Sequence, residues 1–167
     1  MNNSKTKSIV MSALIAALYA VLTYFAAALS LAFGPIQFRI SEVLTILPIF
    51  TPAAIPGLTI GCFISNFASF NLLDIAFGTL ASLIAALLTR AFRKKLVFGV
   101  PLLSMLMPVI INAVIIGLEI AVFYFGGFTF MGFLTAMIEV GISQLVICVG
   151  LGIPFYKVLD KMKERVF

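Results

Sequence analysis

Histidine and tryptophan are both absent from this chain of 167 residues. The first absence removes the commonest metal ligand and general base, and the second removes the usual strongest anchor at a membrane surface. Charge is scarce too: 10% of the residues are charged, where a soluble domain carries roughly a quarter. Cysteine occurs only at Cys62 and Cys148. Both lie in apolar runs and read as small packing residues, so neither a disulfide framework nor a redox pair is indicated. The chain has no G-x-x-x-x-G-K-[ST] phosphate loop, no H-E-x-x-H, no Cys-His cluster and no G-x-S-x-G. It therefore has no nucleotide-hydrolysing loop of its own, no metal site and no cofactor site, and any enzyme built on it would work with carboxylates and hydroxyls alone.

What is present is apolar. Hydrophobic residues make up 63% of the chain and the mean hydropathy is +1.23. No water-soluble fold of this size has the interior to hide that much, so lipid must cover it. The expectation is an all-α integral membrane protein: one transmembrane domain over 1–167, a compact bundle of six helices at about 9–33, 40–50, 55–70, 74–90, 100–125 and 130–156. The first run follows Lys5 and Lys7, is longer than a typical signal-peptide core, and reads as a retained helix. Gly34-Pro35 breaks it and leaves a loop carrying Gln37 and Arg39. The second run is short and meets Pro48, Pro52 and Pro56. It can span only with help from its neighbours, or as a broken helix inside the bundle.

The formal net charge of +5 could suggest nucleic acid, but the basic residues cluster at the ends of apolar runs. If all six runs cross, the amino terminus, the Arg90 to Lys95 loop and the tail from Lys157 to Arg165 fall on one side. By the positive-inside rule that side is the cytoplasm. Both termini are then cytoplasmic, the protein is a multi-pass protein of the cell membrane surrounded by lipid, and nucleic acid is not a partner.

The charges left over are Arg39, Glu42, Asp74, Glu119 and Glu139. An ionisable group at membrane depth costs about 2.5–3.5 kcal/mol on insertion scales for Asp, Lys or Arg, so such groups usually face a cavity and have a purpose. Arg39 and Glu42 are i,i+3; Asn112 and Glu119 are i,i+7; Thr135, Glu139 and Ser143 repeat at i,i+4. Several helices thus offer polar stripes to one centre, to which Asn66, Asn71 and Asp74 can also contribute. Plainer readings stand beside these. Arg39 and Glu42 can simply pair, Asp74 can be an N-terminal helix residue, and Asn112 and Gln144 can be hydrogen-bonding glue between helices. Glu119 and Glu139 have no cation at helical spacing, which favours a ligand or proton role. On the first helix, Ala13 and Ala17, and Ala16 and Ala20, are each four apart; such spacing serves either internal packing or a partner helix.

Three segments carry a resemblance: Phe33-Gly-Pro-Ile-Gln-Phe-Arg-Ile-Ser-Glu-Val-Leu-Thr-Ile-Leu-Pro48, Thr51-Pro-Ala-Ala-Ile-Pro-Gly-Leu, and Asp74-Ile-Ala-Phe-Gly-Thr-Leu-Ala-Ser-Leu. Together with Pro108-Val-Ile-Ile-Asn-Ala-Val-Ile-Ile-Gly117 they resemble the QueT family, substrate-binding S components of energy-coupling factor (ECF) transporters associated with uptake of queuosine precursors. The resemblance implies six helices with a cytoplasmic amino terminus and a surface of small residues on helix one, matching Ala13 and Ala17, that meets a membrane T component. It also implies that ATP is used by two separate ABC ATPases. The implied ligand is a 7-deazaguanine base, whose 2-aminopyrimidinone edge presents adjacent N–H donors suited to a carboxylate such as Glu42, Glu119 or Glu139. Asn112 suits a carbonyl or ring nitrogen, and Phe38, Phe67 or Phe70 suit stacking. An S component for another vitamin or purine remains open, as do a structural assembly subunit and a carboxylate-based membrane enzyme.

Overall fold

The computed structural model describes residues 3–30, 38–69, 71–124 and 127–166, and among these the regular structure is helical apart from one isolated antiparallel bridge, Val97 to Val100. In chain order come α1 (Asn3–Ala28), a 3-10 helix (Ile40–Ile49), α2 (Ala54–Asn66), α3 (Leu72–Ala91), α4 (Leu102–Glu119), α5 (Phe130–Leu145) and α6 (Gly152–Val166). A π turn, Ile120–Tyr124, extends α4, and a π segment, Val146–Leu151, joins α5 to α6 without a break. Four stretches are long and apolar enough to cross a membrane: Ser4–Ala28, Leu72–Ala91, Leu102–Tyr124 and Phe130–Glu164. The 3-10 helix and α2 are shorter, each about 20 Å from the usual rise per residue.

The short second run is the axis of the bundle. It packs against α1, α2, α3, α4, α6 and the π segment, and Ser41, Glu42 and Leu44 to Pro48 are buried. A 3-10 run rarely exceeds four residues, and this one has ten. Its backbone stays satisfied by i→i+3 bonds such as Glu42 N to Arg39 O at 2.9 Å and Phe50 N to Leu47 O at 2.9 Å. That is the requirement for any segment withdrawn from water. The three-residue period also brings Arg39, Glu42, Thr45 and Pro48 into one line, so the polar spacing seen in the sequence becomes a continuous stripe.

The closest helix contact is between α1 and α2. A Cβ at Gly57 would lie 2.8 Å from Ser12 O, and one at Gly61 would lie 2.8 Å from Tyr19 Cβ and 2.9 Å from Ala16 O. Gly57 and Gly61 form a G-x-x-x-G pair, and the α1 surface it meets includes Ala16 and Ala20, 6% and 7% exposed. The structure therefore divides the four alanines expected at a coupling surface. Ala16 and Ala20 are inside the bundle, because only their face of α1 meets glycines, whereas Ala13 and Ala17 point outward.

The elements alternate in direction. At one end Ser12 Oγ donates to Ala53 O (2.8 Å), Arg90 donates to Pro48 O (2.8 Å), and the rings of Phe50 and Tyr156 lie 5.5 Å apart. At the other, Arg39 meets Asn66 and Tyr124 meets Asp74. Of the 11 Lys and Arg residues only Arg39 belongs to the second end, while four of the six acids, Glu42, Asp74, Glu119 and Glu139, lie in its half.

Several boundaries differ from expectation. α1 begins at Asn3 and ends at Ala28, α2 gives way at Asn66 to a 3-10 turn, Phe67–Ser69, and the last helix continues past 156 through the basic tail to Val166. The tail stays helical because Phe155 and Leu159 pack on the core while Lys157, Lys161 and Lys163 face outward, with Lys163 paired to Asp160 at 3.2 Å. The readings placed on Phe33 to Gln37, Phe70 and Gly126 fall outside the described residues.

Candidate functional site

The Arg39 end holds the buried polar cluster. Arg39 precedes the 3-10 helix, is 7% exposed, and donates to Asn66 Oδ1 at 3.1 Å. Asn66, at the last turn of α2, is fully buried and donates through Nδ2 to Asp74 O (2.8 Å) and Cys62 Sγ (3.4 Å). Its amide lies on Gly78 of α3, where any Cβ would collide with Nδ2. Glycine at 78 is thus what allows Asn66 to bridge α2, α3 and Arg39.

Asn71 caps α3, accepting from Leu73 N at 2.9 Å, and its Nδ2 donates to Tyr124 Oη at 2.7 Å. Asp74 stands in the first turn, where the helix dipole favours an acid, and accepts from Tyr124 Oη at 3.1 Å. The plain reading of Asp74 as a helix-start residue is therefore right about its position, and its side chain also reaches α4's π turn.

Deeper along the stripe, Glu42 is 3% exposed. Its Oε1 accepts from Tyr19 Oη of α1 at 2.5 Å, while Oε2 has no partner among the described residues. Thr23 and Ser41 hydroxyls meet at 2.7 Å and fasten the same two elements. Thr45 donates to Glu42 O (2.6 Å) and lies 3.7 Å from Cys148 Sγ, which donates to Gln144 Oε1 (3.3 Å). Cys148 sits in the π segment, so the thiol is part of a polar chain as well as packing. Arg39 and Glu42 do not form an ion pair among those the structure records; Arg39 reaches Asn66 and Glu42 reaches Tyr19.

Glu119 closes α4 just before the π turn and is 2% exposed, and no N–H or O–H group among the described residues donates to either carboxylate oxygen. The Asp74 carboxyl lies beside it, near enough for the two to share a proton, and Arg39 is near enough to attract it. Asn112, on the same α4 face, is 5% exposed. Glu139 is half-buried with Oε2 unpartnered among the described residues, and Ser143 donates to the Glu139 and Val140 carbonyls at 2.8 and 3.0 Å. Thr135 is exposed and bonds Met131 O, so the expected Thr135–Glu139–Ser143 stripe is largely turned to its own helix. Phe67 is 52% exposed and stacks edge-on with Phe63, away from the cluster; Phe38 is half-buried.

Clefts among the described residues include one of about 610 Å³ along Ser4, Lys7, Met11 and Leu14, one of about 500 Å³ between Phe50, Tyr156 and Lys163, and one of about 420 Å³ along Phe63, Leu72, Ile75 and Leu80. Arg39, Glu42, Asp74 and Glu119 line none of these three. Chemically, the cluster is one guanidinium facing three carboxylates, two of which hold free acceptor oxygens. Those free oxygens can accept N–H donors. Tyr19, Thr45, Tyr124, Cys148 and Gly78 belong to it and were missed or read as packing. The period-three line through Arg39, Glu42 and Thr45 was the one signal that could have found a member.

Comparison with known proteins agrees with this architecture. The sequence profile of the QueT transporter family matches residues 9–161. The "Queuosine precursor transporter QueT" of Lactococcus lactis subsp. cremoris (strain MG1363) is 45% identical over 84 residues, which is 50% of this chain and 50% of that relative. No solved structure matches the chain. With a family match over most of its length and four helices long and apolar enough to span, the chain is a multi-pass membrane protein belonging to the QueT transporter family.

Proposed function

We propose that the chain is a substrate-binding S component of an ECF-type transporter that captures a 7-deazaguanine queuosine precursor from the extracellular side and delivers it to the cytoplasm. Membership of the QueT transporter family supports the transport role, and the relative's name supports the substrate class. The observation that carries the reading is Glu119: a carboxylate 2% exposed, with both oxygens unpartnered among the described residues, at the acid end of a membrane bundle. An unpaired buried carboxylate costs several kcal/mol on the order of its lost hydration, so it is completed either by a proton or by a donor from outside the chain, and a ligand is that donor on this reading. The adjacent N–H groups of a 2-aminopyrimidinone edge fit that need in a bidentate arrangement. Glu42 Oε2 supplies a further acceptor, Asn112 suits a carbonyl or ring nitrogen, and Arg39 balances part of the negative charge.

The basic end is the cytoplasmic end on this reading, which puts both termini inside and the carboxylates toward the outside. The chain carries no ATPase loop, uses no cofactor and performs no catalysis of its own; ATP is hydrolysed by two ABC ATPases acting through a T component. Ala13 and Ala17, the outward pair on α1, offer that T component a close approach. A thermal-shift screen of the purified chain with 7-deazaguanine bases, guanine, other purines and vitamins tests the substrate class. A ligand that binds only the folded state must raise apparent stability. Stabilisation by deazaguanines alone is expected; stabilisation by a different compound replaces the ligand, and no stabilisation by any compound overturns the binding role.

A further inference from the structure

The loop between α3 and α4 ends in a tight reversal whose apolar side chains stand exposed. Val97 N donates to Val100 O at 2.8 Å and Val100 N to Val97 O at 3.1 Å, enclosing Phe98 and Gly99 with φ of +53° and +77°. Two consecutive positive φ values are those of a type I′ turn, whose first central position belongs to Asn, Asp or Gly. Phenylalanine there is strained by its Cβ and, at 98% exposed, gains nothing from packing. Leu96 and Val97 beside it are 58% and 41% exposed. An apolar tip held on a strained turn needs a compensating environment outside the chain.

The base of the same loop is cationic: Arg93, Lys94 and Lys95 precede the tip. Arg93 donates to Arg90 O at 3.0 Å and Lys95 lies 5.2 Å over the Phe92 ring, which fixes both close to the helix end. α3 has 20 residues, about 30 Å, the thickness of a bilayer's hydrocarbon core. The reversal begins within six residues of Ala91, so its tip stays within the depth of the adjoining headgroup region, on the order of 10 Å. We propose that the Leu96-Val97-Phe98 tip is an interfacial anchor that inserts into an anionic lipid surface, with Arg93, Lys94 and Lys95 pairing with its headgroups. Phenylalanine takes the role that the missing tryptophans usually fill. The anchor pins the α3–α4 hairpin against sliding along the membrane normal.

The absence of tryptophan supplies the test. Phe98→Trp creates a single-tryptophan protein, reconstituted as the full chain into vesicles of phosphatidylcholine with and without phosphatidylglycerol. The proposal expects blue-shifted emission, quenching by lipids brominated near the headgroup, and several-fold protection from aqueous acrylamide, strongest with phosphatidylglycerol. Replacing Arg93, Lys94 and Lys95 together by Gln should remove the phosphatidylglycerol dependence. Phe98→Asn, which suits the turn better than Phe, should leave the detergent-solubilised protein at least as stable and expose a reporter, Val97→Trp, to acrylamide. Water-like emission of Phe98→Trp in both vesicle types overturns the proposal, as does protection that appears only after adding a partner protein.

Discussion

The two ends of the bundle treat charge in opposite ways. At the basic end Lys and Arg stand on the rim, where Arg90 donates to Pro48 O, Arg93 to Arg90 O, and Lys163 pairs with the exposed Asp160 on its own helix. At the acid end Arg39, Glu42, Asn66 and Glu119 are 7% exposed or less, the Arg39–Asn66 and Tyr19–Glu42 bonds run side chain to side chain, and Glu42 and Glu119 leave carboxylate oxygens without a donor among the described residues. Rim charges are solvated and individually worth little, and they act collectively on orientation. Buried charges are costly unless something completes them. The same residue types thus speak of topology at one end and of a binding site at the other.

Substitutions can break that contrast. The largest effect is expected for Arg39→Met, which strips the only cation from a group of three carboxylates; breaking a buried charge arrangement costs about 3–5 kcal/mol, read as a loss of melting temperature in detergent. Gly61→Val comes next: its side chain must enter the space of Tyr19 Cβ and Ala16 O, and overpacking of that kind costs about 1–3 kcal/mol. Gly78→Ala should cost about as much by displacing Asn66, and adding Asn66→Ala should recover stability but not ligand affinity, since the hydrogen bond between Asn66 and Arg39 is then gone. Tyr19→Phe removes one bond to Glu42 and should cost about 1.5–3 kcal/mol, the range for a hydrogen bond to a charged group. Lys161→Gln, on the exposed face of α6, should stay within about 0.5 kcal/mol. A rim substitution as damaging as Arg39→Met would erase the comparison.

Much of this contrast was legible in the sequence, because charge position along apolar runs is a one-dimensional signal. The five charges outside the basic clusters all fall in one half of the molecule, and Asn112 and Glu119 share a buried face as their spacing implied. The partners were not legible. Tyr19 and Tyr124 sit in apolar stretches where tyrosine reads as packing or as an interfacial ring, and only the fold brings them to Glu42 and Asp74. Ala13/Ala17 and Ala16/Ala20 have identical spacing; what separates them is Gly57 and Gly61, 41 positions downstream of Ala16 and Ala20 on another helix. The 3-10 geometry of 40–49 was hidden as well, since three prolines signalled a broken helix without saying how its backbone would be satisfied.

The central claim is that Glu119 lacks partners because a ligand supplies them. Calorimetric titration of a 7-deazaguanine base into wild type and Glu119→Gln, with the unliganded melting temperature of each measured alongside, tests it most directly. Turning one acceptor oxygen into an N–H donor and removing the charge from the other should weaken binding about 100-fold or more, while the unliganded protein becomes no less stable because a buried carboxylate is gone. Unchanged affinity, or a fall in unliganded stability that accounts for the lost binding, would show that Glu119 belongs to the scaffold and contradict the account.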